Sequence, residues 1–296
     1  MNHAPSQRAH TCHRPSGPVV LLAFITLLIL SGCSSAQSTP VGSTPISGTG
    51  EWKLVWSDEF NGADGSVPDA SKWVHEIGGN GFGNNELEYY TARPENAQQS
   101  GGNLVITARR ENYTGADNVT RNYTSARLKT AGKFSQTYGR FEARIKLPRT
   151  KGIWPAFWML GDDIGQVGWP ACGEIDIMEL VGSAPSTVLG TLHGPGYSGA
   201  GGITKTYTLA DGKTFSDDFH RFAVEWEKDV IRFYVDDTLY VTRTPNDLPQ
   251  SARWVFDHPH FILLNLAVGG NLPGNPDETT VLPQNMIVDY VRVYAR

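Results

Sequence analysis

Glu174, Asp176 and Glu179 place three carboxylates within six positions of the stretch GEIDIMEL, Gly173 to Leu180. The remainder of that stretch reads as buried strand, where like charges repel and raise one another's pKa. One chemistry that uses such a set is cleavage of a glycosidic bond, in which one carboxylate attacks and a second carboxyl protonates the leaving oxygen. The alternative is a divalent cation site, because hard cations prefer clustered oxygens. No Asn/Asp/Gly loop chemistry follows the stretch, which counts against the cation.

On a regular strand, residues i and i+2 share a face. Glu174 and Asp176 therefore point one way, and Glu179, five positions after Glu174, points the other. A β-bulge around Ile177–Met178 re-aims Glu179 to their face. Four effective steps of about 3.3 Å then separate the two glutamates by ~13 Å along the backbone. Side chains leaning together on a concave sheet would bring the carboxyls to about 5 Å, the spacing of a retaining glycosidase. Asp176, between them, can hydrogen-bond the attacking group, hold its rotamer and help keep its partner protonated.

Trp154, Trp158 and Trp169 cluster just upstream, in GIWPAFWML and GWPACGEID. Flat rings lining a groove suit the apolar faces of sugars, and core packing is their other available role. Cys172 stands two residues before Glu174 but has no basic activator nearby in sequence, so it reads as a small apolar filler.

The elements that must position these groups are short alternating runs: WKLVWSDEF, NLVITARR, GRFEARIKL, HRFAVEWEKDVIRFYVDD, HFILLNLAVGG and MIVDYVRVYAR. Each has strand length and is rich in β-branched and aromatic residues, with Gly, Pro, Asn and Asp between them. RFAVEWEKDVIRFYVDDTLYVTR reads as hairpin-connected strands turning near Lys228–Asp229 and Asp236–Asp237. No segment of 12 or more residues keeps a helical period. The expectation is an all-β sandwich or barrel.

The N-terminus has a different composition. Arg8 and Arg14 precede the apolar run VVLLAFITLLIL, Val19 to Leu30, which is short for a membrane span and has the layout of a secretory signal. LSGC, Leu30 to Cys33, resembles a bacterial lipobox, so residues 1–32 are expected to be a signal and Cys33 the lipidated first residue. Residues 33–50, rich in Ser, Thr, Gly and Pro, form a tether with nothing to bury. Residues 51–296 are expected to be one domain. With Cys12 in the signal and Cys33 lipidated, Cys172 has no partner for an internal disulfide. The formal net charge of −5 comes without a basic stripe, so nucleic acid is not an expected partner. The membrane is expected to be touched only through the lipid, and the protein to be a monomer.

WPACGEIDIMELVG, with GIWPAFWML before it and TLHGP after it, closely resembles glycoside hydrolase family 16, nearest to its bacterial endo-β-1,3-glucanases (laminarinases). LVWSDEFNG, NNELEYYT, GNLVITAR, SARLKT, YGRFEARIKLP, FHRFAVEW, LLNLAVGG and VDYVRVY follow the same family in order. The resemblance implies a β-jelly-roll sandwich of two antiparallel sheets with a concave substrate groove. It implies Glu174 as nucleophile, Glu179 as acid/base and Asp176 as the assisting carboxylate, with His193 beside the acid/base. Trp154, Trp158 and Trp169 would meet glucosyl units. Asn85, Glu88, Asn271 and Arg127 would contact sugar hydroxyls, Arg127 having a structural ion pair as its alternative. The extra residue before Glu179 matches the bulged form of the motif found in laminarinases and enzymes of algal galactans. GGNLPG departs from the frequent GGNWPG, Leu272 replacing an aromatic platform. The family also suggests a structural Ca²⁺ at Glu59, Gly102 and Asp289, and no cofactor for catalysis.

A hydrolase of mixed-linkage glucan or of an algal galactan is the neighbouring alternative, the bulge counting against the former. A non-catalytic glycan-binding module should have lost one of the two glutamates, and neither is lost. For the N-terminus, Cys33→Ala is expected to release the protein from membranes; a mutant that still sediments with them would overturn the lipid anchor.

Overall fold

The structure, a computed structural model, describes residues 50–296. The expected signal sequence, nearly all of the expected tether, Cys12 and the expected lipidation site Cys33 lie outside the described residues. Two β-sheets carry the fold. The first has seven antiparallel strands, in spatial order Ile203–Thr208, Thr187–His193, Glu174–Leu180, Ile153–Gly161, His260–Val268, Arg127–Lys129 and Val74–Glu76.

The second sheet runs Thr238–Arg243, Val230–Val235, His220–Glu227, Gly139–Lys146, Gln284–Ala295, Asn103–Thr114, Thr120–Ser125 and Glu88–Tyr90. Lys53–Asp58 and Ala97–Ser100 join it beside Gln284–Ala295 and Asn103–Thr114. One pairing departs from the antiparallel pattern, Glu88–Tyr90 lying parallel to Thr120–Ser125. Helix among the described residues is limited to the single turn Ile164–Val167 and two 3-10 turns. No helix among them is long and apolar enough to cross a membrane.

Period-2 alternation explains how the sheets meet. Phe141, Ala143, Ile145, Phe222, Val224, Trp226, Met286 and Val288 of the second sheet share one core with Ile153, Phe157, Met159, Ile175, Ile262 and Leu264 of the first. Each large apolar side chain buried there contributes roughly 1.5–3 kcal/mol. The hairpin reading also holds: Asp236 and Asp237 have φ of 48° and 70°, the left-handed pair that a two-residue turn between twisted strands requires.

The two central strands of the seven-stranded sheet differ from half-exposed strands. All nine residues of Ile153–Gly161 and all nine of His260–Val268 are buried. Their inner residues face the sandwich core. Ala156, Trp158, Leu160, Phe261 and Leu263 form a second, outer cluster with Cys172. This outer face forms the floor on which the carboxylates stand.

Candidate active site

Register places the three carboxylates. Asp176 pairs with Trp158 on one side and Thr191 on the other, while Glu179 pairs with Ala156 and Leu189. Three steps on the carboxylate strand thus match two on each neighbour, a bulge at Ile177–Met178 where the sequence required one. Ile177 and Met178 both join the inner core, so the extra residue is absorbed by apolar packing and Glu179 returns to the outer face. Gly173 opens the strand at φ 74°, and a Cβ there would crowd Val255 and His260 at 3.1 and 3.2 Å. Only glycine fits that entry without strain.

Each glutamate receives an indole N–H. Trp169 Nε1 donates to Glu174 Oε2 at 2.8 Å, and Trp154 Nε1 donates to Glu179 Oε1 at 2.9 Å. His193 lies directly across from Glu174 in the strand register. Its Nε2 stands 3.2 Å from Asp176 Oδ2 and 3.8 Å from Glu174 Oε1. The approach to Asp176 is off the hydrogen-bond direction, leaving Asp176 Oδ2 without a donor. The family resemblance put His193 beside Glu179; cross-strand pairing puts it at the Glu174–Asp176 end instead.

Burial is the main electrostatic fact. It pushes the Glu174 carboxyl up to about 8, with the Asp176 charge adding to the effect and His193 and the Trp169 N–H opposing it. Burial and then the Glu174 charge push Glu179 up to about 7, opposed by His193 and Trp154. Asp176, 3% exposed, is held well above the ordinary carboxylate range by burial and by Glu179. Groups this close titrate as a set, and the proton belongs to the cluster. Cys172 is buried, and burial followed by the Glu174 charge raises its thiol to about 11, leaving no thiolate to act as nucleophile.

The other expected site residues divide into groups. Trp169 is 49% exposed, whereas Trp154 and Trp158 are each 9% exposed and anchored through their N–H groups. Asn85 and Asn271 meet, Asn85 Nδ2 donating to Asn271 Oδ1 at 2.9 Å between two exposed loops. Arg127 takes the structural role: it forms an ion pair with Glu76, and its guanidinium lies 4.7 Å from the Trp158 ring centre and 4.9 Å from that of Phe82.

Glu88 is a correction. It is fully buried, with Oε2 accepting the Val268 N–H at 2.6 Å, and does not reach the outer face. Its strand, Glu88–Tyr90, lies in the other sheet. Asn265 went unnoticed in the sequence, yet its Oδ1 accepts the Trp158 Nε1–H at 2.8 Å. A polar residue at the centre of the apolar run HFILLNLAV was the available signal.

Donor atoms of Glu174, Asp176 and His193 lie within 4.8 Å of one another, so this is also the set a cation would use. The expected calcium residues are engaged otherwise. Glu59 makes a two-pronged bridge to Arg292 at 3.0 and 2.7 Å, and Asp289, the bulged residue of the last strand, pairs with Arg144 at 2.6 Å. These side chains do not fit a carboxylate-ligated ion, which would have to rest on backbone carbonyls.

The raised carboxyls have a consequence for stability. A carboxyl whose folded pKa is raised binds its proton more tightly in the folded state, so it costs stability as pH climbs from the ordinary 4.5 toward and through about 8. Glu174→Gln is therefore expected to raise the unfolding midpoint at pH 8–9, by ~2–4 °C per kcal/mol relieved. Near pH 4 it should do little. A midpoint difference that is flat with pH, or a mutant less stable at pH 8, would overturn this account.

Comparison with known proteins agrees with this geometry. The profile of Glycosyl hydrolases family 16 matches residues 84–291. A "Beta-glucanase" of Rhodothermus marinus is 46% identical over 281 residues, covering 92% of this chain and 93% of that protein. The laminarinase catalytic domain of Thermotoga maritima MSB8 is 52% identical with a TM-score of 0.79, covering 83% of this chain and 99% of that one. The endo-β-1,3-glucanase of Pyrococcus furiosus, also 52% identical with a TM-score of 0.79, covers 82% and 94%. The chain is a member of glycosyl hydrolases family 16.

Proposed function

We propose that the protein hydrolyses internal β-1,3-glucosidic bonds of laminarin-like glucans by double displacement with retention. The observation that carries this reading is the bulge at Ile177–Met178, which returns Glu179 to the face of Glu174 and Asp176. Similarity to the laminarinases favours a β-1,3-glucan over a mixed-linkage glucan or a galactan.

Glu174 is assigned as the nucleophile on the family resemblance, and the Trp169 N–H and the nearby His193 oppose the burial that raises its carboxyl. It attacks the anomeric carbon while Glu179, kept protonated by burial and by the Glu174 charge, gives its proton to the departing oxygen. The glucosyl–Glu174 ester then meets a water. Glu179, now a carboxylate, takes a proton from that water as it attacks, and Glu174 leaves. Asp176 shares the face of the two glutamates, and its charge helps to raise the Glu174 carboxyl, so the three groups titrate as a set. Every proton moves among carboxyls, water and sugar oxygens, so catalysis needs no metal or other cofactor. Trp169, the open ring at the Glu174 end, is assigned to sugar stacking, and the Asn85–Asn271 pair to sugar hydroxyls.

The Leu30–Cys33 stretch supports a further reading, that the enzyme works from a membrane surface through a lipid on Cys33. For calcium, only a structural role at Glu59, Gly102 and Asp289 through backbone carbonyls is proposed, the support being the family resemblance.

Glu174→Ala is expected to lower laminarin turnover by roughly 10⁴-fold or more. Added azide should restore it, giving a glycosyl azide of inverted configuration. Turnover near that of the wild type without azide would remove Glu174 from the nucleophile's role. Withdrawing calcium with EGTA should lower the unfolding midpoint and leave kcat unchanged; an unaltered midpoint would dismiss the ion.

A further inference from the structure

Behind the outer face lies a set of buried polar groups that the double displacement does not use. Trp158 Nε1 donates to Asn265 Oδ1 at 2.8 Å, and Asn265 Nδ2 donates to the Tyr90 hydroxyl at 3.1 Å. The Tyr90 hydroxyl donates to Glu86 Oε2 at 2.8 Å, and Glu86 Oε1 accepts from Asn84 Nδ2 at 3.3 Å. Tyr90 is fully buried, Glu86 is 3% exposed and Asn265 4%. Glu88 stands behind Glu86, its Oε2 on the Val268 N–H. Burial and the adjacent Glu86 charge hold the Glu88 carboxyl well above the ordinary range.

The chain runs in one direction only. An indole nitrogen can donate but not accept. The Asn265 amide must therefore turn its oxygen to Trp158 and its NH₂ to Tyr90. The Tyr90 oxygen is then an acceptor, and its proton must point at Glu86, which must accept. No member can flip without leaving a buried polar atom unpaired, at a cost of about 1–3 kcal/mol. The Trp158 ring is fixed a second way by the Arg127 guanidinium, 4.7 Å from its centre and tied to Glu76. Trp158 lies opposite Asp176 in the strand register, next to the carboxylate trio.

We propose that Glu86, Tyr90 and Asn265 are positioning residues that act through Trp158, turning its N–H away from the sugar and setting the plane of its ring against the glucosyl unit at the cleavage point. The proposal rests on the glucanase reading above, because it assigns the ring a sugar to face.

The experiment is a double-mutant cycle on the full domain with laminarin, joining Tyr90→Phe or Asn265→Ala to Trp158→Phe. Tyr90→Phe and Asn265→Ala are each expected to raise KM about 3–10-fold while kcat changes less than about 2-fold. In the Trp158→Phe background, which has no N–H to orient, neither should raise KM further. Near-UV circular dichroism gives a readout independent of substrate: Tyr90→Phe should alter the 285–300 nm tryptophan bands in the wild type and leave them unaltered in Trp158→Phe.

An unchanged KM, or an equal rise in both backgrounds, would overturn the proposal. A wild-type protein inactive on laminarin would overturn the substrate reading instead, while the circular dichroism cycle would still test whether the chain orients Trp158.

Discussion

Crowding three carboxyls where water is nearly excluded is the constraint on which the site depends. Desolvation and mutual repulsion both favour protonation, and an unrelieved cluster would simply hold three protons and do no displacement chemistry. The surrounding structure opposes this selectively. Trp169 and His193 offer positive ends of dipoles or charge to Glu174, and Trp154 offers one to Glu179. Trp154 and Trp169 thus serve as electrostatic partners of the two glutamates. Retaining cleavage needs one carboxyl free to attack while another holds a proton, and the indole N–H on each glutamate offsets part of the burial that would otherwise keep both protonated.

Much of this was legible in the chain. The carboxylate spacing demanded a bulge, the Asp236–Asp237 pair announced its turn, and the alternating runs gave an all-β sandwich or barrel, which the family resemblance narrowed to a sandwich. What escaped was information carried by pairings between distant segments. His193 is placed by its position opposite Glu174, and Arg127 by standing between Glu76 and Asn265 in adjoining strands. The family resemblance of NNELEYY places Glu88 in the groove, and the segment alone does not say which sheet it joins. Its parallel pairing with Thr120–Ser125 carries it into the other layer, where its carboxyl finds the Val268 amide. Asn265 is hidden for the opposite reason: one amide in nine apolar positions is easily taken for an exception, when it is the pivot between two layers of side chains.

The two layers also divide the labour of stability and chemistry. The inner cluster is aliphatic and aromatic and holds the sheets together. The outer cluster is small, and around it the polar side chains are nearly all spoken for, through Glu76, Asn265, Tyr90 and Glu86. A fully satisfied polar network of this kind rigidifies its surroundings, and each missing member is costly. That rigidity suits a face that must hold carboxyls in place without water to cushion them.

The bulge at Ile177–Met178 has a parity consequence. A strand displays its side chains on alternate faces, so two residues share a face when an even number of steps separates them. Five steps lie between Glu174 and Glu179, and the bulge cancels one of them. Losing a single residue between the two glutamates would restore evenness without any bulge, so such a deletion could preserve the shared face while straightening the strand. Losing two would leave three steps, an odd count that still needs a bulge to keep Glu179 on the shared face. Odd insertions and deletions here thus do away with the bulge and even ones retain it, so each odd one resets the local curvature of the sheet that receives the polysaccharide.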